Sequence, residues 1–157
     1  MSEEQNLIRK LSKFCMRGEK CEEDIRQKMQ HWKVGNQEQE KIIDLLKNED
    51  FINHKRYTQA FVNDKIKFHH WGKQKIKAYL KNKKIEEKVI EMALNKISQK
   101  LYEEILINEL QKKMNSLSEM PEIKKKEKVV NYLLQKGFEY GKVFEFVENE
   151  IKKNKEN

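Results

Sequence analysis

Turn-forming residues are scarce in this chain: 157 residues contain one proline, Pro121, and five glycines. A β-rich fold needs many more, so strands joined by tight turns are excluded as the main architecture. There are two cysteines, Cys15 and Cys21, too few for a disulfide scaffold. Six residues apart, they make a disulfide conceivable but not required, and reduced thiols are expected because cytosolic disulfides are rare; with His31 they match none of the two-plus-two spacings of structural zinc. No apolar run approaches the roughly 18 residues of a membrane span, and the polar stretch Met1 to Lys10 lacks the apolar core of a secretory leader. A soluble, cytoplasmic protein without membrane contact is expected. Missing too are a glycine-rich phosphate loop, a nucleophile elbow and paired metal-ligand spacing. No enzyme, catalytic residue, metal site or cofactor is therefore expected.

What the chain has in abundance is charge. Apolar residues make up 37% and charged residues 38%, a lean core under a charged surface that folds only because its apolar positions are periodic. The net charge of +8 is unevenly spread. Residues 1–54 carry 10 basic and 11 acidic side chains, and residues 85–157 carry 14 of each. Residues 55–84 hold 10 basic residues against the single acid Asp64. A solvated helix face usually alternates its signs, so this segment points to an anionic partner. Tyr57, Phe61, Phe68, Trp71 and Tyr79 lie among the basic residues. Rings can stack on unpaired bases, but core packing is the expectation for most of these.

The apolar positions repeat. Ile76, Leu80, Ile85, Ile90 and Leu94 align with Val129, Leu133, Phe138, Val143 and Val147 at an offset of 53, and Tyr79 and Lys84 fall on Tyr132 and Gly137. Ile25, Met29 and Val34 match Ile76, Leu80 and Ile85 at an offset of 51. A three-residue insertion within Gly35 to Lys41 then brings Ile42 and Leu46 to the places of Ile90 and Leu94. Each repeat reads as three helices with i, i+4 apolar spacing. They are expected near 3–17, 22–33 and 37–48; 54–70, 73–83 and 87–97; and 99–115, 122–136 and 140–152. Residues 1–52, 53–98 and 99–152 are the three repeats, and 153–157 are a disordered tail. The fold class is all-α: tandem three-helix repeats in an elongated, curved, right-handed or solenoid-like array, each repeat too small to bury much alone. Gly18, Gly35, Gly72 and Gly137 are read as helix ends favouring left-handed caps. Asn53 and Ser118 are N-cap candidates, and Pro121 is a helix starter.

Within the basic segment, Lys73, Lys77, Lys81 and Lys84 fall within about 80° of one another on a 3.6-residue helix, beside Ile76 and Leu80. The predicted result is a lysine ridge edging the packed face, whose mutual repulsion an anionic partner relieves. His69 and His70, followed by Trp71 and Gly72, close the preceding helix, where imidazoles suit the dipole. Lys124, Lys125 and Lys126, flanked by Glu122 and Glu127, read as solvated surface.

The middle segment runs Phe51-Ile-Asn-His-Lys-Arg-Tyr-Thr-Gln-Ala-Phe-Val-Asn-Asp-Lys and then Trp71-Gly-Lys-Gln-Lys-Ile, and it resembles the signature of the RecX family. Arg56, Tyr57, Phe61 and Val62 match the family's Arg-aromatic and Phe-Val positions; Gly72, Ile76 and Leu80 match its Gly-x-x-x-Ile-x-x-x-Leu. Phe14-Cys15, Glu19-Lys20-Cys21 and Ile25 to Met29 are similar to the first repeat, and Tyr132 to Phe138 to the third. The resemblance covers about residues 9–150, with Lys replacing Arg at several basic positions and Lys84 standing where many members have glycine.

This resemblance implies a negative regulator of RecA that lies in the groove of the RecA–single-stranded DNA filament and inhibits ATP turnover and strand exchange. Homologous recombination, DNA repair and the SOS response are its setting. No cofactor is implied. The expected partner-binding residues are Arg56, from the motif, and Lys65, Lys67, Lys73, Lys77, Lys81 and Lys84, from the charge map. A monomer is expected, with the RecA filament as partner and single- or double-stranded DNA as a further one. Charge and short helix pairs also fit a helix-turn-helix-like DNA-binding protein acting without RecA, and repeats alone fit a scaffold for another protein.

Overall fold

Residues 2–156 are described by the computed structural model. Among them are helices α1 (Glu3–Met16), α2 (Glu22–His31), α3 (Asn36–Asn48), α4 (His54–Lys67), α5 (Lys73–Asn82), α6 (Glu87–Asn95), α7 (Gln99–Ser116), α8 (Glu122–Gln135) and α9 (Tyr140–Glu156), and no strand. The chain is an all-α helical-repeat protein. Its helix starts fall within a residue of those expected, while α4 stops three residues early. Because α9 continues to Glu156, residues 153–156 are helical rather than a disordered tail; Asn157 lies outside the described residues.

The threefold pattern is clearest where the second helix of each repeat ends. The amide N–H groups of Val34, Ile85 and Phe138 donate to the carbonyls of Met29, Leu80 and Leu133, and those of Lys33, Lys84 and Gly137 donate to Gln30, Lys81 and Leu134. These are the two bonds of a Schellman cap, which requires a left-handed residue after the helix. That residue is Lys33 (φ 58°), Lys84 (φ 62°) or Gly137 (φ 101°). The expectation that glycines supply the caps therefore holds only at Gly137; lysines do it in the other two repeats. Gly18, Gly35 and Gly72 do not take positive φ. Asn53 caps α4, its side-chain oxygen accepting from the Arg56 N–H at 3.0 Å. Pro121 occupies the N-cap position of α8 and no side chain caps that helix, so Ser118 does not fill the role expected of it.

Two compact units divide the chain. The first comprises residues 1–61 and 80–93. In its core Leu11, Ile25, Met29, Ile42, Ile43, Leu46 and Ile52 are buried, with Leu7, Ile8, Phe14, Val34 and Phe51 packed around them. The second comprises residues 62–79 and 94–157. There Leu106, Leu110, Val129, Leu133, Val143 and Val147 are buried, and the rings of Tyr102 and Phe138 tilt together at 5.6 Å. The basic middle repeat therefore contributes residues to both units.

Candidate partner-binding surface of the middle repeat

In the second unit, Lys65 and Lys67 stand on the last turn of α4, and Lys73 and Lys77 on the first turns of α5. The turn between them is anchored by hydrogen bonds. Gly72 N–H donates to the Lys136 carbonyl at 2.7 Å and Gln74 N–H to the Gly137 carbonyl at 2.9 Å. Lys136 Nζ donates to the His69 carbonyl at 2.8 Å. A Cβ on Gly72 would overlap the backbone of Gly137 and Phe138, and one on Gly137 would overlap Lys75. Both glycines are needed for close approach, and Gly137 for its φ as well.

The same turn is held by a buried carboxylate. Glu109 is only 3% exposed; its Oε2 accepts from the Tyr132 hydroxyl at 2.7 Å and its Oε1 lies 2.7 Å from His70 Nδ1. Burial alone pushes the Glu109 carboxyl upward, but these hydrogen bonds outweigh it and hold the group below its ordinary value. Burial and the Glu109 contact raise the Tyr132 hydroxyl to about 12. Beside them, the Tyr102 hydroxyl accepts from Lys73 N–H at 2.9 Å and donates to Glu139 at 2.8 Å. The start of α5 is thereby fixed on the third repeat by polar contacts a partner need not supply.

On this support sit cations and rings. Lys65 Nζ lies 4.9 Å and Lys75 Nζ 4.3 Å from the Trp71 ring centre, and the Tyr79 ring meets Trp71 edge-on at 6.2 Å. Lys73 Nζ lies 4.8 Å from the Tyr102 ring. Such placements hold an ammonium group over a ring face and so restrict its orientation. Lys67 is exposed, and Lys65 has Asp64 at 3.8 Å.

The first unit treats its share of the basic segment differently. Arg56 is paired with Glu19 and Asp50, and its Nη2 donates to the Asp50 carbonyl at 2.8 Å. The motif arginine thus secures the α3–α4 turn, where Asp50 adopts φ 61°. Lys84 lies beyond the end of α5 in its left-handed conformation and reaches Glu23 at 3.5 Å. It is therefore not the fourth member of a helical ridge, because the Schellman turn takes it off the helix. Lys83, absent from the expected set, binds Asp24 at 2.8 Å. Lys81 is exposed on α5, with no ion pair to a carboxylate among the described residues. The expected residues thus separate. Lys65, Lys67, Lys73 and Lys77 belong to the second unit, Lys81 stands alone in the first, and Arg56 and Lys84 are engaged by acids of the first repeat.

Two features escaped the sequence reading. Lys75 lies off the expected ridge, yet it is an exposed cation over the Trp71 ring; Trp71 precedes α5, so helical spacing carries no signal for this contact. Core packing, the expectation for most of the rings of this segment, is met only by Tyr57; Phe61 and Trp71 are half-buried, and Tyr79 and Phe68 are exposed, Phe68 by 75%. Among the described residues no group of three His, Cys, Asp or Glu side chains could hold a metal ion, and no helix is long and apolar enough to cross a membrane. Cys21 is buried and Cys15 partly so; both are free thiols, and burial lifts Cys21 to about 11.

Comparison with known proteins places these residues in a family. Residues 53–94 match the model of the RecX second three-helix domain, and residues 101–147 that of the third. A protein named regulatory protein RecX from Clostridium botulinum (strain Eklund 17B) is 33% identical over 134 residues, 84% of this chain and 62% of that protein. One from Clostridium acetobutylicum is 29% identical over 139 residues, 86% of this chain and 64% of that one. The chain thus spans slightly under two thirds of the length of these relatives. A crystal structure of regulatory protein RecX superimposes with a TM-score of 0.83 at 22% identity, covering 93% of this chain and 71% of that one. A crystal structure of RecX from Lactobacillus salivarius gives 0.74 at 23%, covering 92% and 97%.

Proposed function

This chain belongs to the RecX family, and on that premise we propose that it is a negative regulator of RecA that binds the RecA–single-stranded DNA filament in its groove and inhibits ATPase and strand exchange. The observation that carries the reading is the acid-poor segment 55–84, which lies within the match to the second RecX domain and presents Lys67, Lys73, Lys75 and Lys77 at the α4–α5 corner and on the first turns of α5, with Lys81 exposed separately in the first unit. The curated relatives' name, regulatory protein RecX, supports a regulatory role over a catalytic one. The protein acts as a cytoplasmic monomer without a cofactor, and its repeats extend the contact over neighbouring RecA protomers, joining modest contacts into an avid one.

The lysines meet anionic surface in the filament, either acidic side chains or phosphates. Arg56 and Lys84 are weaker members of this set, since each already has a carboxylate. Lys65, Lys73 and Lys75 are oriented by rings, which lowers the entropy lost when a partner fixes them. Lys supplies a point charge rather than a bidentate fork, so steering and affinity are served more than fine geometry.

The test is RecA ATPase inhibition by the variant Lys73→Glu with Lys77→Glu, alongside Lys67→Glu with Lys81→Glu. Each pair is expected to weaken inhibition by at least about tenfold while the circular dichroism spectrum stays helical. Undiminished inhibition by both folded variants rejects the middle repeat as the contact surface. A second reading, DNA binding without RecA, draws on the Lys65–Trp71–Lys75 cluster, which could meet a single strand by charge and stacking. It predicts equal affinity for DNA with and without RecA.

A further inference from the structure

The third repeat holds a cleft that the filament reading does not use. It is about 320 Å³ in volume and opens between the end of α7, the first turns of α8 and the last turns of α9. Its floor is apolar: Met114, Met120, Val129, Val147 and Ile151. Its rim carries Lys125, Lys126 and Lys155 against one carboxylate, Glu122. The volume exceeds that of the roughly 150 Å³ cavities that accept a benzene ring, so a large side chain fits.

The floor and rim select different parts of one ligand. Val129 and Val147 are fully buried and set a rigid base, whereas Met120 and Ile151 are half-buried and line the opening. Methionine is unbranched and polarisable and moulds to varied apolar shapes, as at surfaces that receive helical peptides. Rim lysines in excess over carboxylates favour negative charge beside the apolar anchor. Two of them hold internal partners, Lys126 with Glu148 and Lys155 with Glu122 at 3.9 Å. Both pairs are partly or largely exposed, so exchanging an internal carboxylate for an incoming one costs little. Immediately outside, Ile123 is 85% exposed on the first turn of α8, apolar area that a bound segment would cover.

We propose that this cleft, formed by Met114, Met120, Val129, Val147 and Ile151 under Lys125, Lys126 and Lys155, receives an acidic amphipathic segment of a protein partner, one large apolar side chain entering the floor and flanking carboxylates meeting the lysines. The site is separate from the lysines of α4 and α5 and does not depend on the filament reading.

The experiment selects random peptides of about 16 residues, displayed on phage, for binding to the full chain, then synthesises the retained sequences and measures their affinity by fluorescence anisotropy. Retained peptides are expected to pair an aromatic or aliphatic anchor with several Asp or Glu, and to perturb amide NMR signals at Met120, Lys125, Lys126, Ile151 and Lys155. Affinity should fall about tenfold or more, roughly one lost anchor or charge contact, both in Lys125→Glu with Lys155→Glu and in Met120→Glu. The surface double variant keeps the test valid if Met120→Glu fails to fold. Retained peptides without acidic bias, perturbations elsewhere, or affinity unchanged in the folded double variant would overturn the proposal; ATPase inhibition of RecA need not change in any of these outcomes.

Discussion

Lys84 and Gly137 occupy the same left-handed position in successive repeats, and their different surroundings give substitutions opposite signs. At φ 62° Lys84 bears the cost of a Cβ against the following carbonyl, offset only by an exposed contact with Glu23. Lys84→Gly is therefore expected to stabilise the protein by about 1 kcal/mol, read as a raised urea midpoint at unchanged slope. Gly137→Ala should destabilise by more than that, since a Cβ there meets Lys75 as well as the strained φ. Glu109 makes a second residue-scale test. Removing it in Glu109→Ala strands the Tyr132 hydroxyl and the His70 ring and should cost about 3 kcal/mol. The pH dependence follows from its depressed carboxyl value. A group more acidic when folded than unfolded adds stability above its unfolded value, and loses it as pH falls through the folded one. Stability should thus decline on acidification below about pH 4.3, and Glu109→Gln should show a shallower decline over that range in paired urea titrations.

At the scale of elements, the contact between Gly72, at the α4–α5 corner, and Gly137, after α8, matters most. Gly72→Ala must push apart the backbone contacts at Gly137 and Phe138, and is expected to loosen the second unit. Hydrogen exchange should show amides of α5 and of residues 136–140 losing protection before those of α2 and α3. Much of this level was legible in the sequence, because apolar i, i+4 spacing forms helices wherever it occurs. The matched triplets Ile25-Met29-Val34, Ile76-Leu80-Ile85 and Val129-Leu133-Phe138 end in the same two hydrogen bonds. Helix ends were less legible. Gly18, Gly35 and Gly72 suggested left-handed caps that Lys33, Asp50, His70 and Lys84 adopt instead, because a terminus is decided by what the next helix needs. At α4 the chain leaves the helix after Lys67 so that Gly72 can reach Lys136 and His70 can reach Glu109.

For the whole molecule, the uneven charge was visible from the sequence but its internal pairing was not. Counting residues cannot show that Glu19 and Asp50 take Arg56, or that Glu23 and Asp24 take Lys84 and Lys83, since Glu19, Glu23 and Asp24 lie far from these cations in the chain and Asp50 meets Arg56 only through the α3–α4 turn. Of the ten basic residues of segment 55–84, Arg56, Lys65, Lys83 and Lys84 already stand beside carboxylates of this chain. Salt dependence reports the number that engage phosphate: with about five lysines on phosphate, log affinity for bare single strands should fall with log salt at a slope near −3 to −4. A contact with RecA itself in the filament should outlast that loss. The most direct test is therefore RecA ATPase on single-stranded DNA across a salt series, measured beside this protein's binding to the same DNA alone. Inhibition that persists at salt where bare-DNA binding has gone is the predicted result; inhibition that is absent, or disappears in step with DNA binding, would contradict the filament reading.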